Sequence, residues 1–324
     1  MQIFNGELRF GIHAGQQNLT LAEYTALWQI TERLGYDWAS VFDHFLPIMS
    51  DPEGPCFEGL TLLSALAAQT KKLRCGIIVI GITYRNPAIL AKIATTIDHV
   101  SNGRLELGIG GAWFEMEHNQ YGVDFPPIGQ RLDMLGEAAK IIKGLWTQKR
   151  TTFDGRYYQV TDALHEPKPL QTPHPPLWVG GAGEKKTLRV VAESADGWNT
   201  FLIPLEQYLH KLDVLAGHCT DVGRDPGDIR KQLCMFAHIG ETEAEAKELR
   251  EQHTRIQTSG PNMMPLLGTP EQCVEQLLPY VKAGVGDFLL LVRSPSPENV
   301  RTLELFANKI APFVREEYQA MKAH

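Results

Sequence analysis

The stretch CGIIVIGITYRNPAILAKIATTIDHVSNGRLELGIGGAWFE, residues 75–115, decides the fold. An apolar run from Ile77 to Ile82 precedes Arg85-Asn86-Pro87, and Ile89, Leu90, Ile93, Ile97 and Val100 then recur at helical spacing. Ser101-Asn102-Gly103 breaks that helix, and Leu105, Leu107 and Ile109 begin a second strand. Two largely apolar strands joined by a helix are the pattern of a parallel sheet covered on both faces. Both strands end in glycine, with polar or aromatic residues after them. That edge, beyond the carboxyl ends of the strands, is where parallel α/β folds bind ligands.

The same rhythm extends in both directions. Upstream, Leu8–Ile12 reads as a strand, Leu21–Leu34 as a helix opened by Leu19-Thr20, Tyr36–Phe42 as a strand and Leu60–Thr70 as a helix. Downstream, an amphipathic helix spans Gln130–Trp146, and TTFDGRYYQV (151–160) predicts a β-hairpin around Asp154-Gly155. Residues 167–176 form a proline-rich loop. Strands follow at 177–181, 195–201, 231–239 and 287–292, with helices at about 184–194, 205–219, 242–253, 270–283 and 297–321. The segment 254–269 reads as an irregular connection. Eight strand–helix units predict an α/β chain, a (β/α)8 TIM barrel with insertions, including the small hairpin, and a single domain over 1–324. A doubly wound sheet is the rival, and eight parallel units favour closure.

The totals exclude several classes. The chain has 324 residues, 43% hydrophobic, with a formal net charge of −7, so nothing in the charge calls for nucleic acid or an anionic membrane. No apolar run is long enough for a transmembrane helix, and the N-terminus lacks the pattern of a secretion signal. Five scattered cysteines without a CxxC argue against structural zinc and a disulfide framework, and fit a cytoplasmic protein. There is no HxH, HExxH or GxSxG, so no metal site is expected.

Four places carry candidate chemistry. Asp43-His44 ends the second strand, where an imidazole at a barrel mouth can give or take a proton near neutral pH; a purely structural histidine is the alternative. Gly180-Gly181-Ala182-Gly183 joins a strand to a helix N-terminus, a setting for an anion such as phosphate or simply a tight turn. Gly108-Ile109-Gly110-Gly111-Ala112-Trp113 suggests close approach of a flat ligand with Trp113 as a wall, or rim packing. Gly81-Ile82-Thr83-Tyr84 suggests a bulge at a strand end. The acidic pairs Glu115/Glu117 and Glu316/Glu317 read as solvated faces.

VFDHF (41–45), DPEGPCFEG (51–59), GITYRNPAILAK (81–92), SNGRLELGIGGAWFEMEHNQYG (101–122) and PPLWVGGAGEKKTLRVVAESADGWN (175–199) resemble the bacterial luciferase-like superfamily, and within it the oxidoreductases that use the deazaflavin coenzyme F420. The resemblance runs from Phe10 to about Phe313. It implies a TIM barrel, a homodimer, and a flavin-type cofactor at the carboxyl end, F420 or alternatively FMN. It also implies a bulge with a non-prolyl cis peptide behind the ring, placed by alignment at Gly81-Ile82. It makes His44 the catalytic residue. Asp43, Gly81, Ile82, Thr83, Gly110, Gly111 and the 180–183 turn become cofactor-binding, and Phe45, Trp113 and Trp178 substrate-pocket residues. In the sugar-phosphate dehydrogenase branch an acid–base glutamate follows the glycines after the fourth strand. Trp113 stands at about that place here, and Glu115 lies two residues on, which points to an apolar or aromatic small-molecule substrate. The expected function is hydride transfer with F420, with 254–269 as a lid. An FMN-dependent luciferase-like monooxygenase, a non-catalytic flavin-binding protein and a metal-dependent barrel hydrolase are the alternatives.

Overall fold

The computed structural model describes residues 6–49, 51–255 and 263–323. Eight parallel strands close into a barrel: β1 (Arg9–His13), β2 (Trp38–Val41), β3 (Arg74–Gly81), β4 (Leu105–Gly110), β7 (Leu177–Gly180), β8 (Gly197–Phe201), β9 (Arg230–Met235) and β12 (Asp287–Leu291). Around it lie α1 (Leu21–Arg33), α2 (Gly59–Gln69), α3 (Pro87–Val100), α5 (Ile128–Thr147), α6 (Thr187–Ser194), α7 (Leu205–Val222), α8 (Glu243–Arg255), α9 (Pro270–Lys282), α10 (Pro297–Leu305) and α11 (Ala311–Ala323). The TIM-barrel expectation is met. Local signals set the helix ends: Thr20 and Glu23 form a capping box on α1, and Asn86 caps α3 with Pro87 in its first turn.

The barrel interior is filled by two tryptophans. Trp38 and Trp178 lie with ring centroids 5.8 Å apart, and glycines on neighbouring strands make the room. A Cβ on Gly76 would come 2.8 Å from the Trp38 ring, and a Cβ on Gly11 or Gly197 would fall on the Trp38 or Trp178 ring itself. At the amino-terminal end Arg9 bridges Glu106 (2.7 Å) and Asp287 (2.6 Å), with Arg74 and Arg230 completing the ion-pair layer. The Trp178 indole N–H donates to Glu106 Oε2 at 2.5 Å. Trp178 therefore plugs the closed end of the barrel; expected in the substrate pocket, it faces away from the mouth because its indole bonds into this charged layer.

Four elements differ from the sequence reading. The 231–239 run splits: β9 stays in the barrel, while β10 (Ala237–Ile239) pairs with β11 (Leu266–Gly268) outside it. The 254–269 connection, expected as a lid, thus ends in a strand, and its residues 256–262 lie outside the described residues. The 151–160 hairpin forms as β5 (Arg150–Asp154) and β6 (Gln159–Leu164). Its turn spans residues 155–158 rather than a tight Asp-Gly pair, because the Glu137 carboxylate accepts from the N–H groups of Arg156, Tyr157 and Tyr158 at 2.7–3.0 Å. The last helix is interrupted by a π turn at Phe306–Ile310, where the Phe306 ring meets Phe10 edge-on at 5.3 Å. Finally, a short helix not read from the sequence, α4 (Glu115–Tyr121), follows β4.

Two predictions concern stability. Gly197→Ala forces a methyl against the Trp178 ring and should destabilise by about 1–3 kcal/mol, whereas Gly217→Ala, exposed within α7 with nothing within 4 Å of the new methyl, should stabilise by roughly 0.5–1 kcal/mol. Urea unfolding midpoints check both. The second concerns pH. Burial, reinforced by Lys92 and Lys168, pulls His165 from 6.5 down to about 4, and burial with the charge of His44 does the same to His13. Both are neutral when folded and take up a proton more readily when unfolded. Their contribution is therefore full above pH 6.5 and is lost as pH falls toward 4, by about 1.4 kcal/mol per pH unit for each proton taken up. Unfolding free energies from pH 7 to 4.5 should show this slope, and His165→Gln should flatten it.

Candidate active site

The mouth is built on the ends of β1 to β4. Gln16 fixes the chain after β2: its amide accepts from the Phe42 N–H at 3.2 Å and donates to the Phe42 carbonyl at 2.8 Å, both buried. Asp43 then turns inward, 2% exposed. Its Oδ2 accepts from the Gly81 N–H (3.1 Å) and from Arg85 (2.8 Å), and Arg85 reaches on to Glu58 at 2.5 Å. Burial raises the Asp43 carboxyl, against the pull of Arg85 and the Gly81 N–H. Asp43, expected as a cofactor ligand, pins β3 to β2 through Oδ2, while its buried Oδ1 has no hydrogen-bond partner among the described residues.

His44 faces the mouth, its side chain 12% exposed. Its ring stands edge-on to Phe42 (5.0 Å), Trp113 (5.5 Å) and Phe114 (5.9 Å). Its Nδ1 lies 2.7 Å from Glu117 Oε1, and no group among the described residues bonds its Nε2. Glu117, on α4, has no exposed side-chain surface. Beyond His44, its carboxylate accepts from the Tyr84 hydroxyl at Oε1 and from the Phe45 N–H at Oε2, 2.9 Å. Burial works to raise this carboxyl; the bonds from His44, Tyr84 and Phe45 outweigh it and hold it below the usual range. The reading of Glu117 as a solvated face is thus corrected, whereas its neighbour Glu115 is exposed. The missed signal was periodicity: once 115–121 is a helix, Glu117 and His118 fall on its inner side.

Behind Tyr84, His118 donates from Nδ1 to the Phe114 carbonyl (2.8 Å) and accepts at Nε2 from the Thr83 hydroxyl (2.7 Å). Thr83 is therefore engaged with α4. Phe45 packs between Tyr84 (4.8 Å) and Tyr121 (5.0 Å). Trp113, stacked on Phe114 at 5.1 Å, is 62% exposed and is the large apolar surface beside His44.

The floor of the mouth is Val79. The β3–β4 ladder shifts register between Ile77 and Ile80, and the Ile78–Val79 peptide is cis. The bulge with a non-prolyl cis bond is present, three residues before Gly81-Ile82. Those two residues are in regular register instead: Gly81 pairs with Gly110, and the Ile82 N–H donates to the Gly110 carbonyl at 3.0 Å. Val79 also explains the glycines. A Cβ at Gly110 or Gly180 would come 2.7 Å from its methyls. Gly81 is kept small by the Tyr84 ring (2.6 Å) and Gly111 by Leu132 (3.0 Å). Ile82 is 1% exposed.

The turn after β7 is open. Gly181 has φ +121°, which favours glycine, and its carbonyl accepts from the Trp198 indole at 2.7 Å. The N–H groups of Ala182 to Lys186, including Gly183, donate to nothing among the described residues, just before α6. Lys186 pairs with Asp133 (2.5 Å) and Lys211 with Glu184 (3.0 Å). This row of free N–H groups suits a phosphate. The described residues contain no group of three or more His, Cys, Asp or Glu placed to hold a metal ion.

Comparison with known proteins agrees with this architecture. The model of the luciferase-like monooxygenase family matches residues 6–264. The F420-dependent glucose-6-phosphate dehydrogenase of Nocardia farcinica is 27% identical over 96% of this chain and 99% of its own length. An uncharacterized protein of Mycobacterium tuberculosis is 38% identical over 56% of this chain, and the match spans 66% of that relative. The FMNH2-dependent dimethylsulfone monooxygenase of Pseudomonas putida is 31% identical over 53% of this chain and 46% of its own. Among solved structures, an F420-dependent secondary alcohol dehydrogenase superposes with a TM-score of 0.79 at 21% identity, covering 95% of this chain and 99% of that one. Barrel, mouth and match over most of the sequence agree: the chain belongs to the luciferase-like monooxygenase family.

Proposed function

We propose that the protein is an oxidoreductase moving a hydride between coenzyme F420 and a small organic substrate of apolar or aromatic character. The observation that carries this reading is His44, whose Nε2 is left open at the mouth while the turn at 182–186 offers free N–H groups to a phosphate. The end-to-end likeness to F420-dependent glucose-6-phosphate dehydrogenases supports F420 over FMN, because the FMNH2-dependent relative matches only about half the chain.

F420 would supply the hydride chemistry. In this reading the protein's residues bind, orient and handle the proton. The 182–186 N–H row would hold the phosphate, Val79 would form the floor beneath the cofactor, and His44 Nε2 would give or take the proton that accompanies hydride movement. Trp113 contributes an apolar wall to the substrate side. It stands where an acidic residue serves the sugar-phosphate branch, so glucose 6-phosphate is not the proposed substrate. The enzyme is taken as a cytoplasmic homodimer.

The test is turnover of F420, followed by its absorbance, across a panel of apolar and aromatic alcohols and ketones. His44→Ala should lower kcat by roughly 10²–10⁴-fold while leaving F420 affinity within a few-fold. Unchanged turnover in that variant would remove the role given to His44. Oxygen-dependent turnover with FMN and none with F420 would favour the monooxygenase reading.

A further inference from the structure

We propose that Glu117, backed by Tyr84, is a positioning residue that fixes His44 with its proton on Nδ1, so that protons enter and leave only at Nε2. This rests on the reading of His44 as the proton-handling residue. The geometry leaves one consistent arrangement. An ionised carboxylate only accepts hydrogen bonds, and Glu117 Oε1 sits 2.7 Å from His44 Nδ1. The Tyr84 hydroxyl and the Phe45 N–H also donate to this carboxylate, so its negative charge is answered from three sides without solvent. With Nδ1–H spent on Glu117, the neutral ring has its lone pair at Nε2, which has no partner among the described residues and lies on the mouth side, beside Trp113.

The consequence is chemical. A proton arriving at Nε2 makes an imidazolium whose charge lies against the buried Glu117 carboxylate, so removing that carboxylate removes its counter-charge. The other groups facing His44 weigh differently. His13, at the end of β1, is held neutral down to about pH 4 by burial and by the charge of His44. Cys56 donates from Sγ to the His44 carbonyl at 3.3 Å, and burial with the charge of Glu117 keeps it a thiol up to about pH 12. Neither supplies a charge near neutral pH, so of these groups Glu117 is the one that meets His44 with a charge, and the Tyr84 hydroxyl shares the same carboxylate oxygen. A purely structural Glu117, serving only to cap Phe45 and Tyr84, would leave the tautomer and acidity of His44 untouched.

The experiment is a 15N-histidine NMR titration of the cofactor-free protein, with His44→Ala assigning the resonance. The wild type should show His44 protonated on Nδ1 when neutral. In Glu117→Gln its pKa should fall by at least one unit, a tenfold loss of proton affinity. In Tyr84→Phe, which keeps the carboxylate and frees it from one donor, the pKa should rise. An Nε2–H tautomer in the wild type, or a His44 pKa unchanged in folded Glu117→Gln, overturns the proposal. If Glu117→Gln does not fold, an unchanged or lowered pKa in Tyr84→Phe does the same. No cofactor is needed, so failure of F420 turnover sinks the proposed function and leaves this result standing, and the reverse also holds.

Discussion

A carboxylate without solvent has to be answered by donors, and the Glu117 carboxylate is answered by three, drawn from two separate parts of the chain. His44 and Phe45 follow β2, Tyr84 follows β3, and Glu117 itself follows β4. One buried charge therefore ties the ends of three adjacent strands together at the mouth. Removing a partner would leave the charge buried and unanswered, which is far more destabilising than losing an exposed ion pair. The neighbouring network has the same logic one layer deeper. Asp43 holds Gly81 and Arg85, Arg85 holds Glu58, and β3 is kept in place against β2. The orientation of His44 is a product of these constraints rather than of its own loop.

The second constraint is volume. Trp38 and Trp178 occupy the lower barrel, and Val79 caps them where β3 bulges. Each of these side chains is matched by glycines across from it: Gly76 for Trp38, Gly197 for Trp178, Gly110 and Gly180 for Val79. The floor of the mouth is apolar because Val79 packs over the filled barrel beneath it. Polar groups without a partner among the described residues include His44 Nε2 and the N–H groups of 182–186. A planar, mostly apolar ring carrying one anionic arm suits such a surface, and a compact polyanion does not.

The fold was legible because its signal is repetitive. Eight apolar strands alternating with amphipathic helices leave few architectures, and the glycine, asparagine and proline signals at Asn86-Pro87 and Ser101-Asn102-Gly103 placed boundaries closely. The site was legible only in part. His44 was singled out from its position at a strand end, and its side chain is partly exposed there beside Glu117. Glu117 was missed because its helix is short and its charge looked like surface. Trp178 was misplaced because a strand's alternation says which residues point inward but not which end of the barrel they serve. The glycines were ambiguous for a plain reason: a missing Cβ makes room equally for a ligand or for Val79, and only the packing tells which. The bulge was expected from resemblance and lies at Val79 rather than Gly81, a shift of three residues that the apolar run Ile77–Ile82 gives no means of detecting.

The central claim is that this mouth is an F420 site. The most direct measurement is equilibrium titration of the purified protein with oxidised F420 and with FMN, side by side, by fluorescence or absorbance. The account predicts saturable 1:1 binding of F420, at least tenfold tighter than FMN (about 1.4 kcal/mol), and weakened when Gly183→Asp places a carboxylate in the 182–186 turn. Tight FMN binding with no detectable affinity for F420 would contradict it.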